Sequence, residues 1–188
     1  MVFLRRITLA TAGLLACCCS AIGGASQATA AAQGARTLQQ ARAIAWLGGQ
    51  IHAYQHSTWR WEYLMGVPAT PTAGRVLSEM SVADVQKAVL RWKRRAAEAR
   101  LRAEHPPHRA AFLCIHRFEG SWRDGSGPYY GGLQMDVGFQ QTYGGRLFRT
   151  KGTADHWTPL EQMWTAEKAH RSRGFWPWPN TARYCGLL

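Results

Sequence analysis

Residues 109–136 read RAAFLCIHRFEGSWRDGSGPYYGGLQMD, and this stretch decides the architecture of the C-terminal part of the chain. Its first part, residues 109–118, predicts a short helix that brings Glu119 to its end, because Gly120 favours termination there. The remainder is too rich in glycine to continue as a helix. It predicts turns with at most a short, irregular β-hairpin over residues 129–135.

Two more helices are predicted downstream of this stretch. One begins after Val137. The other has a strong start signal, because Thr158 can cap it, Pro159 suits the first helical position and Glu161 completes a capping box. We expect this last helix to extend to about Ser172, so the module is mainly α-helical.

Upstream, residues 31–107 predict a helical region that ends at Pro106-Pro107. Ser81, followed three residues later by Asp84, marks the start of its second helix. The stretch 66–74 before it contains prolines and predicts a connection. Apolar residues recur at helical spacings of three and four in both helices, which are therefore amphipathic: Ile44, Leu47, Ile51 and Tyr54 in the first, and Val82, Val85, Val89, Trp92 and Ala96 in the second.

The second of these helices, over residues 82–104, is strongly basic. It can simply present a solvated face, or it can attract an anionic wall polymer or lipid headgroups with an affinity that falls as salt rises. Its basic residues are Lys87, Arg91, Lys93, Arg94, Arg95, Arg100 and Arg102.

The whole chain is basic, with 23 Lys and Arg against 11 Asp and Glu, or a net charge of +12 over 188 residues. Such a balance favours nucleic acid, anionic lipid or an acidic wall polymer as a partner. The first 30 residues distinguish among these partners. A basic start, an apolar stretch over 7–24 and Ala28-Thr29-Ala30 are typical of a cleaved export signal, which favours a partner outside the cytoplasm. We therefore expect a protein that is secreted or held in the cell wall and binds no nucleic acid.

An alternative for the same segment is lipid anchoring. Leu14-Leu15-Ala16-Cys17 is similar to a bacterial lipobox, in which Cys17 would carry the lipid. With either form of export, Cys114 and Cys185 remain in the mature chain and face an oxidising compartment. A disulfide between them is expected, worth about 4 kcal/mol in the chain-entropy model, with two unpaired buried thiols as the alternative.

The module from residue 108 onward contains six acidic residues, of which three have ready structural explanations. Glu161 is a capping residue and Asp155 precedes the same helix start. Glu167 lies in mid-helix beside Lys168 and Arg171, where an ion pair is expected.

Glu119 differs from the other acids of the module. Asp124 and Asp136 lie in or beside turns, whereas Glu119 is at a helix C-terminus, where the helix dipole disfavours negative charge. Phe118 and Trp122 are near enough in sequence to remove water from it, which also favours the protonated carboxyl. A neutral carboxylic acid beside a groove is what cleavage of a glycosidic bond requires.

The chain from residue 108 to residue 188 resembles the resuscitation-promoting factor core domain, a transglycosylase-like family of the lysozyme-like superfamily. The resemblance implies a secreted, compact α+β lysozyme-like domain, preceded here by the helical region 31–107, that cleaves the glycan of peptidoglycan and needs no cofactor. The motifs that carry it are Cys114-x4-Glu119-Gly120-x-Trp122, Tyr129-Tyr130-Gly131-Gly132-Leu133-Gln134-Met135-Asp136, Trp176-Pro177 and Cys185.

Position by position, the resemblance makes Glu119 the catalytic acid. Tyr130 and Gln134 match groove residues that contact sugar, and Trp122 and Asp136 are counted with them, although Trp122 matches a tryptophan of structural character.

Cys114 and Cys185 match the family's disulfide with one departure. The family cysteine usually directly precedes the catalytic glutamate, whereas Cys114 lies five residues before Glu119. A shift of four residues is about one helical turn and keeps the thiol on the same face.

The implied reaction begins when Glu119 protonates the β-1,4 bond between N-acetylmuramic acid and N-acetylglucosamine. Hydrolysis would then need a second carboxylate, about 5–5.5 Å away for retention or about 6.5–9.5 Å for inversion, for which Asp124 and Asp136 are the candidates. In lytic transglycosylation, Glu119 itself would deprotonate the muramic 6-hydroxyl and an anhydro ring would form. The residues leave both outcomes open.

Other chemistries find less support in the sequence. His116 with Glu119 and His52 with His56 have helical spacings but no third ligand, so no metal site is expected. The alternative to an enzyme is a non-catalytic protein that binds the wall through the same domain. Four tryptophans can line a sugar groove or fill the core: Trp157, Trp164, Trp176 and Trp178.

Overall fold

Helices make up most of the chain in the computed structural model, which describes residues 20–72, 74 and 76–188, with only the backbone for residues 20–30. The elements, in chain order, are α1 (Ser20–Met65), a 3-10 turn (Leu77–Glu79), α2 (Val82–Glu104), α3 (Arg109–Glu119), β1 (Tyr129–Tyr130), β2 (Met135–Asp136), α4 (Val137–Phe139), a π turn (Gln140–Gly144), α5 (Arg146–Lys151), a 3-10 turn (Ala154–His156), α6 (Pro159–Arg173) and α7 (Pro179–Tyr184). The mainly helical class is as the sequence predicts.

The described chain falls into two compact units, with the division between Trp46 and Leu47. The predicted boundary between residues 107 and 108 lies inside the second unit. Most of the predicted export signal, including Cys17 of the lipobox alternative, lies outside the described residues, and α1 continues through the predicted start of the mature chain at residue 31. None of the helices among the described residues is both long enough and apolar enough to cross a bilayer.

The local start and stop signals are confirmed in the second unit. Ser81 accepts a hydrogen bond from the backbone of Asp84 at the start of α2, and α2 ends before the paired prolines. At α6, Thr158 and Glu161 form the complete capping box, with Pro159 in the first turn. The hairpin is also found, as an antiparallel pair of two-residue strands.

The helix expected after Val137 differs from the prediction, because it is broken. It forms one turn, widens into the π turn and restarts as α5. Gly144 lies so close to Trp157 that any side chain there would overlap the indole, and Gly145 has a φ of 51°. A β-carbon is unfavourable at both positions, so the break depends on glycine.

Among the described residues of the second unit, two of the clusters of buried side chains include the C-terminal module. The larger joins α3, the hairpin, α6 and α7, and its centre includes Phe112, Ile115, Leu133 and Trp157, all fully buried. The smaller consists of Leu64 and Met65 of α1, Ala103 of α2 and Trp164 of α6. The helical region upstream of residue 108 therefore shares buried contacts with the C-terminal module.

The disulfide between Cys114 and Cys185 is present, which confirms that prediction. It joins the middle of α3 to the residue that follows α7, with the two Cα atoms 6.0 Å apart. The end of the chain is thereby fixed against the helix that carries Glu119.

Gln162 of α6 is fully buried and connects three separate segments through its side-chain amide. Its Oε1 accepts from the backbone N–H of Gly132 at 2.9 Å, and its Nε2 lies 2.8 Å from the carbonyl oxygens of both Trp122 and Ala154. A β-carbon at Gly131 would overlap this amide. The loop can therefore lie this close to Gln162 only with glycine at position 131. The glycine-rich stretch is held in place by α6.

Replacement of Gln162 by leucine tests this role. Leucine fills similar space but leaves the buried N–H and carbonyl groups without partners, so the free energy of unfolding should fall by about 2–4 kcal/mol in urea titrations. Gln141→Leu is the matched control, because Gln141 is exposed and its replacement should change stability by less than about 0.5 kcal/mol. Equal effects of the two variants would contradict the assignment.

Candidate active site

A cleft of about 280 Å³ opens at the C-terminal end of α3. Glu119 is the only acidic residue among those that line it. Its other lining residues are Tyr129 and Gln134 from the hairpin region, and Pro177, Trp178, Pro179, Asn180 and Thr181 from the start of α7.

Glu119 is the last residue of α3 and is partly buried. Gly120 follows with a φ of 152°, which turns the chain away from the helix. The Thr181 hydroxyl donates a hydrogen bond to Glu119 Oε1 at 2.7 Å, and Glu119 forms no ion pair with any described residue. Its carboxyl group is thus oriented by a neutral partner and is not compensated by a cation.

The Thr181 hydroxyl can serve both protonation states of Glu119. It lies 2.7 Å from Glu119 Oε1 and 3.5 Å from the carbonyl oxygen of Trp178. It can donate to the carboxylate, or it can accept from the protonated carboxyl and turn its own proton toward Trp178. This arrangement suits a group that gives up and takes back a proton.

Gln134 has an unusual backbone for a residue with a side chain, with a φ of 46°. Its Nε2 donates to Asp124 Oδ2 at 2.9 Å and to the carbonyl oxygen of Gly131 at 3.0 Å. Both amide protons are therefore used inside the loop, and Oε1 has no partner among the described residues. It is available to accept a hydrogen bond from a bound molecule.

Asp124 has a structural role in this loop. Its Oδ1 accepts from the Ser126 hydroxyl at 2.6 Å and from the Ser126 backbone N–H at 3.1 Å, and its Oδ2 accepts from Gln134. The side-chain and backbone hydrogen bonds from Ser126, followed by the one from Gln134, hold the pKa of Asp124 below its ordinary value. The carboxylate stabilises the turn and does not line the cleft.

The other predicted sugar-binding residues lie outside the lining of the cleft. Asp136 caps α4 by accepting from the Phe139 backbone, and Trp122 stacks on His116 with ring centroids 4.0 Å apart. Tyr130 packs against the main buried cluster. Of the predicted set, the structure thus brings Glu119 and Gln134 together at the cleft.

The apolar surroundings of Glu119 differ from the expectation. Phe118 is 56% exposed and packs against Tyr184, while Trp122 is engaged with His116. Trp178 and the prolines on either side of it line the cleft instead. These residues follow Glu119 by about 60 positions, too far for the local sequence to indicate the contact.

Of the four tryptophans considered for the groove, three are buried and one is exposed. Trp157, Trp164 and Trp178 each donate the indole N–H to a backbone carbonyl, as expected for core residues. Trp176 is 62% exposed, and Tyr129 on the cleft is 52% exposed. Tyr129 is therefore the exposed aromatic residue at the cleft, whereas the motif resemblance assigns that position to Tyr130.

The ion-pair partners predicted for Glu167 are wrong. Its partner is His108, from which it accepts a backbone hydrogen bond at 2.7 Å and a ring hydrogen bond at 3.0 Å, and not Lys168 or Arg171. Arg171 instead donates to the carbonyl oxygens at the end of α1. The reason is that Glu167 lies on the buried face of α6, away from its sequence neighbours.

Comparison with known proteins yields no family model, no curated protein and no solved structure that matches this chain significantly.

The hydrogen bonds to Asp124 predict a pH-dependent contribution to stability. Because its pKa is lower in the folded chain than the ordinary 3.8, the carboxylate stabilises the fold above that pH, and the contribution is lost as the pH falls through the lower, folded-state value. We therefore expect the stability difference between the wild type and Asp124→Asn to be largest near neutrality and to shrink below 3.8.

Urea titrations across this pH range measure that difference. Ser126→Ala removes the side chain that contributes most to the shift, so it should reduce the pH dependence while leaving the carboxylate in place. A difference that stays constant with pH would show that the Asp124 interactions do not depend on its charge.

Proposed function

We propose that this protein is a glycosidase-type enzyme that cleaves the β-1,4 bond between N-acetylmuramic acid and N-acetylglucosamine in peptidoglycan, with Glu119 as the catalytic acid. The observation that carries the proposal is the position of Glu119 as the only acid lining the cleft, oriented by Thr181. A carboxylic acid at such a place can protonate the leaving oxygen while the bond breaks. The motif resemblance of residues 108–188 supplies the substrate class.

The cleft has features that suit a glycan. Tyr129 is half-exposed and Trp178 contributes a buried aromatic wall, and aromatic faces favour the apolar faces of sugar rings. Gln134 Oε1 and Asn180 add hydrogen-bonding groups. Asn180 and Gln134 can therefore position the polar substituents of an amino sugar while Tyr129 contacts its ring.

Lytic transglycosylation is favoured over hydrolysis as the second step. Hydrolysis with a second carboxylate would require Asp124 or Asp136, yet Asp124 is committed to Ser126 and Gln134, and Asp136 caps α4. Neither lines the cleft. In transglycosylation Glu119 alone suffices, because after giving up its proton it can take one from the muramic 6-hydroxyl as the anhydro ring closes.

The basic face of α2 supports a location at an anionic wall. All seven of its Lys and Arg residues are exposed, as expected for a solvated face. Lys87, Arg94 and Arg100 pair with acids on the same helix, whereas Arg91, Lys93 and Arg102 form no ion pair with any described residue. We propose that this face contacts wall polymers or lipid headgroups after export, whether the chain is free or anchored at Cys17.

Glu119→Gln is the direct test of the proposal. The amide keeps the size and the hydrogen bond with Thr181 but carries no transferable proton, so cleavage of purified peptidoglycan should fall at least about 1,000-fold with an unchanged fold. Mass spectrometry of the released muropeptides distinguishes the two mechanisms, since anhydro-muramyl ends are expected and reducing muramyl ends would indicate hydrolysis.

Glu98→Gln is the matched control for that experiment. Glu98 is exposed on α2, so this variant should cleave as the wild type does. Activity retained by Glu119→Gln would disprove the catalytic assignment. Wall binding by the wild type with no released products would favour the non-catalytic binding protein.

Thr181 is predicted to act as a positioning residue for Glu119. Thr181→Val keeps the shape but removes the hydroxyl, so kcat should fall about tenfold with little change in KM, the equivalent of one hydrogen bond to a charged group. Thr181→Ser keeps the hydroxyl and should restore most of the rate. Equal rates for the valine and serine variants would show that the hydroxyl has no role.

A further inference from the structure

A second polar cluster lies where the start of α3 packs against α6. Both oxygens of Glu167 contact His108, since Oε1 accepts from its backbone N–H at 2.7 Å and Oε2 from its Nδ1 at 3.0 Å. The side chain of Glu167 is only 4% exposed, whereas that of His108 is 39% exposed. The carboxylate is thus fixed in the interior, and the imidazole reaches the surface.

His170 completes the cluster from the next turn of α6. It follows Glu167 by three residues, which places both on one face of the helix. Its ring lies 3.9 Å from that of His108 between centroids, at an angle of 42°. One potential ligand atom from each of the three residues lies within 4.8 Å of the other two.

The two imidazoles lie in partly apolar surroundings. Burial, and then the nearby His108, lower the pKa of His170 below its ordinary 6.5, although Glu167 acts in the opposite direction. Phe175 packs its ring against both histidines on the apolar side. The cluster is thus bounded by an apolar ring and opens to the surface at His108.

The neighbouring basic residues of α6 are engaged elsewhere. Arg171 donates to the carbonyl oxygens of Gly66 and Met65, and Lys168 lies over the ring of Tyr63. They do not form ion pairs with Glu167. The negative charge of Glu167 is thus not neutralised by a lysine or arginine among the described residues.

We propose that His108, Glu167 and His170 form a binding site for one divalent transition-metal cation, of the borderline type represented by Zn²⁺. Two imidazole nitrogens and one carboxylate oxygen are a donor set that such cations prefer, and the exposed side of His108 leaves room for water as a further ligand. Ligands at about 2.0–2.1 Å from zinc lie about 3.3 Å apart in a tetrahedral site. His108 Nδ1 lies 3.0 Å from Glu167 Oε2, close to that spacing, and the ligand atom of His170 lies within 4.8 Å of both. The cation would take the place of the proton on Nδ1, and the neutral imidazole would carry its proton on Nε2.

This site is separate from the cleft and from the proposed chemistry. His108 precedes the first residue of α3 and Glu119 is its last, so about 16 Å of helix lies between them. A cation held at the start of α3 would join it to α6 and stabilise the junction. The sequence alone does not indicate this site, because His108 and Glu167 are 59 residues apart.

Zinc binding by the full chain tests the proposal. After treatment with a chelator and its removal, titration calorimetry with Zn²⁺ should give one site per chain, and Zn²⁺ should raise the Tm. Co²⁺ in its place should give the intense visible absorption of a low-symmetry site with nitrogen ligands. His170→Gln should weaken binding at least tenfold and remove the Co²⁺ absorption.

The matched control is the double variant His52→Gln/His56→Gln. It removes the other histidine pair at helical spacing, on α1, and should bind Zn²⁺ like the wild type. Because His170 is only partly buried, its glutamine variant is expected to fold, and circular dichroism of the metal-free chain verifies this. The proposal is overturned if the wild type binds no Zn²⁺, if folded His170→Gln binds it equally well, or if the double variant loses the site.

Discussion

The buried amide of Gln162 is the interaction on which the geometry of the cleft depends. The glycine-rich stretch offers few apolar side chains for burial, so its position has to come from polar contacts. Gln162 provides these by binding the backbone at both ends of that stretch, at Trp122 and at Gly132. Gln134 and Tyr129 are thereby presented at a fixed distance from the end of α3.

The opposite wall of the cleft has a covalent support. Cys114 lies on α3 and Cys185 just beyond α7, so the disulfide keeps these two helices together. Thr181 is on α7 and Glu119 on α3, and their hydrogen bond crosses the same junction. The hairpin side of the cleft thus depends on a buried amide, and the junction that carries Glu119 and Thr181 is supported by a disulfide.

Local signals were sufficient for much of this architecture. Caps, prolines and terminating glycines act within one helical turn, so the limits of α2, α3 and α6 could be predicted from Ser81, Thr158 and Gly120. The disulfide could be predicted because only two cysteines, Cys114 and Cys185, follow the predicted export signal. Glu119 could also be identified from the sequence as the candidate acid, because its position at the end of a helix is indicated by neighbouring residues.

The remaining features depend on contacts between residues far apart in sequence. Gln162 in mid-helix has the same local appearance as a solvated glutamine, and only the fold shows that it is fully buried. Thr181 carries no motif that connects it to Glu119. Glu167-x-x-His170 is a weak helical signal, and it gains meaning only when His108 is brought to it.

Two carboxylates lie at the two ends of α3 in different hydrogen-bonding settings, Glu167 of α6 at its start and Glu119 at its end. At its start, the backbone N–H of His108, which precedes the helix and has no partner within it, donates to Glu167. At its end, Glu119 accepts a hydrogen bond from the neutral hydroxyl of Thr181 and forms no ion pair with any described residue. The first carboxylate is fixed by a backbone donor, whereas the second is oriented by a hydroxyl that can also accept a hydrogen bond from its protonated form. One short helix therefore separates a structural carboxylate from the catalytic one that we propose.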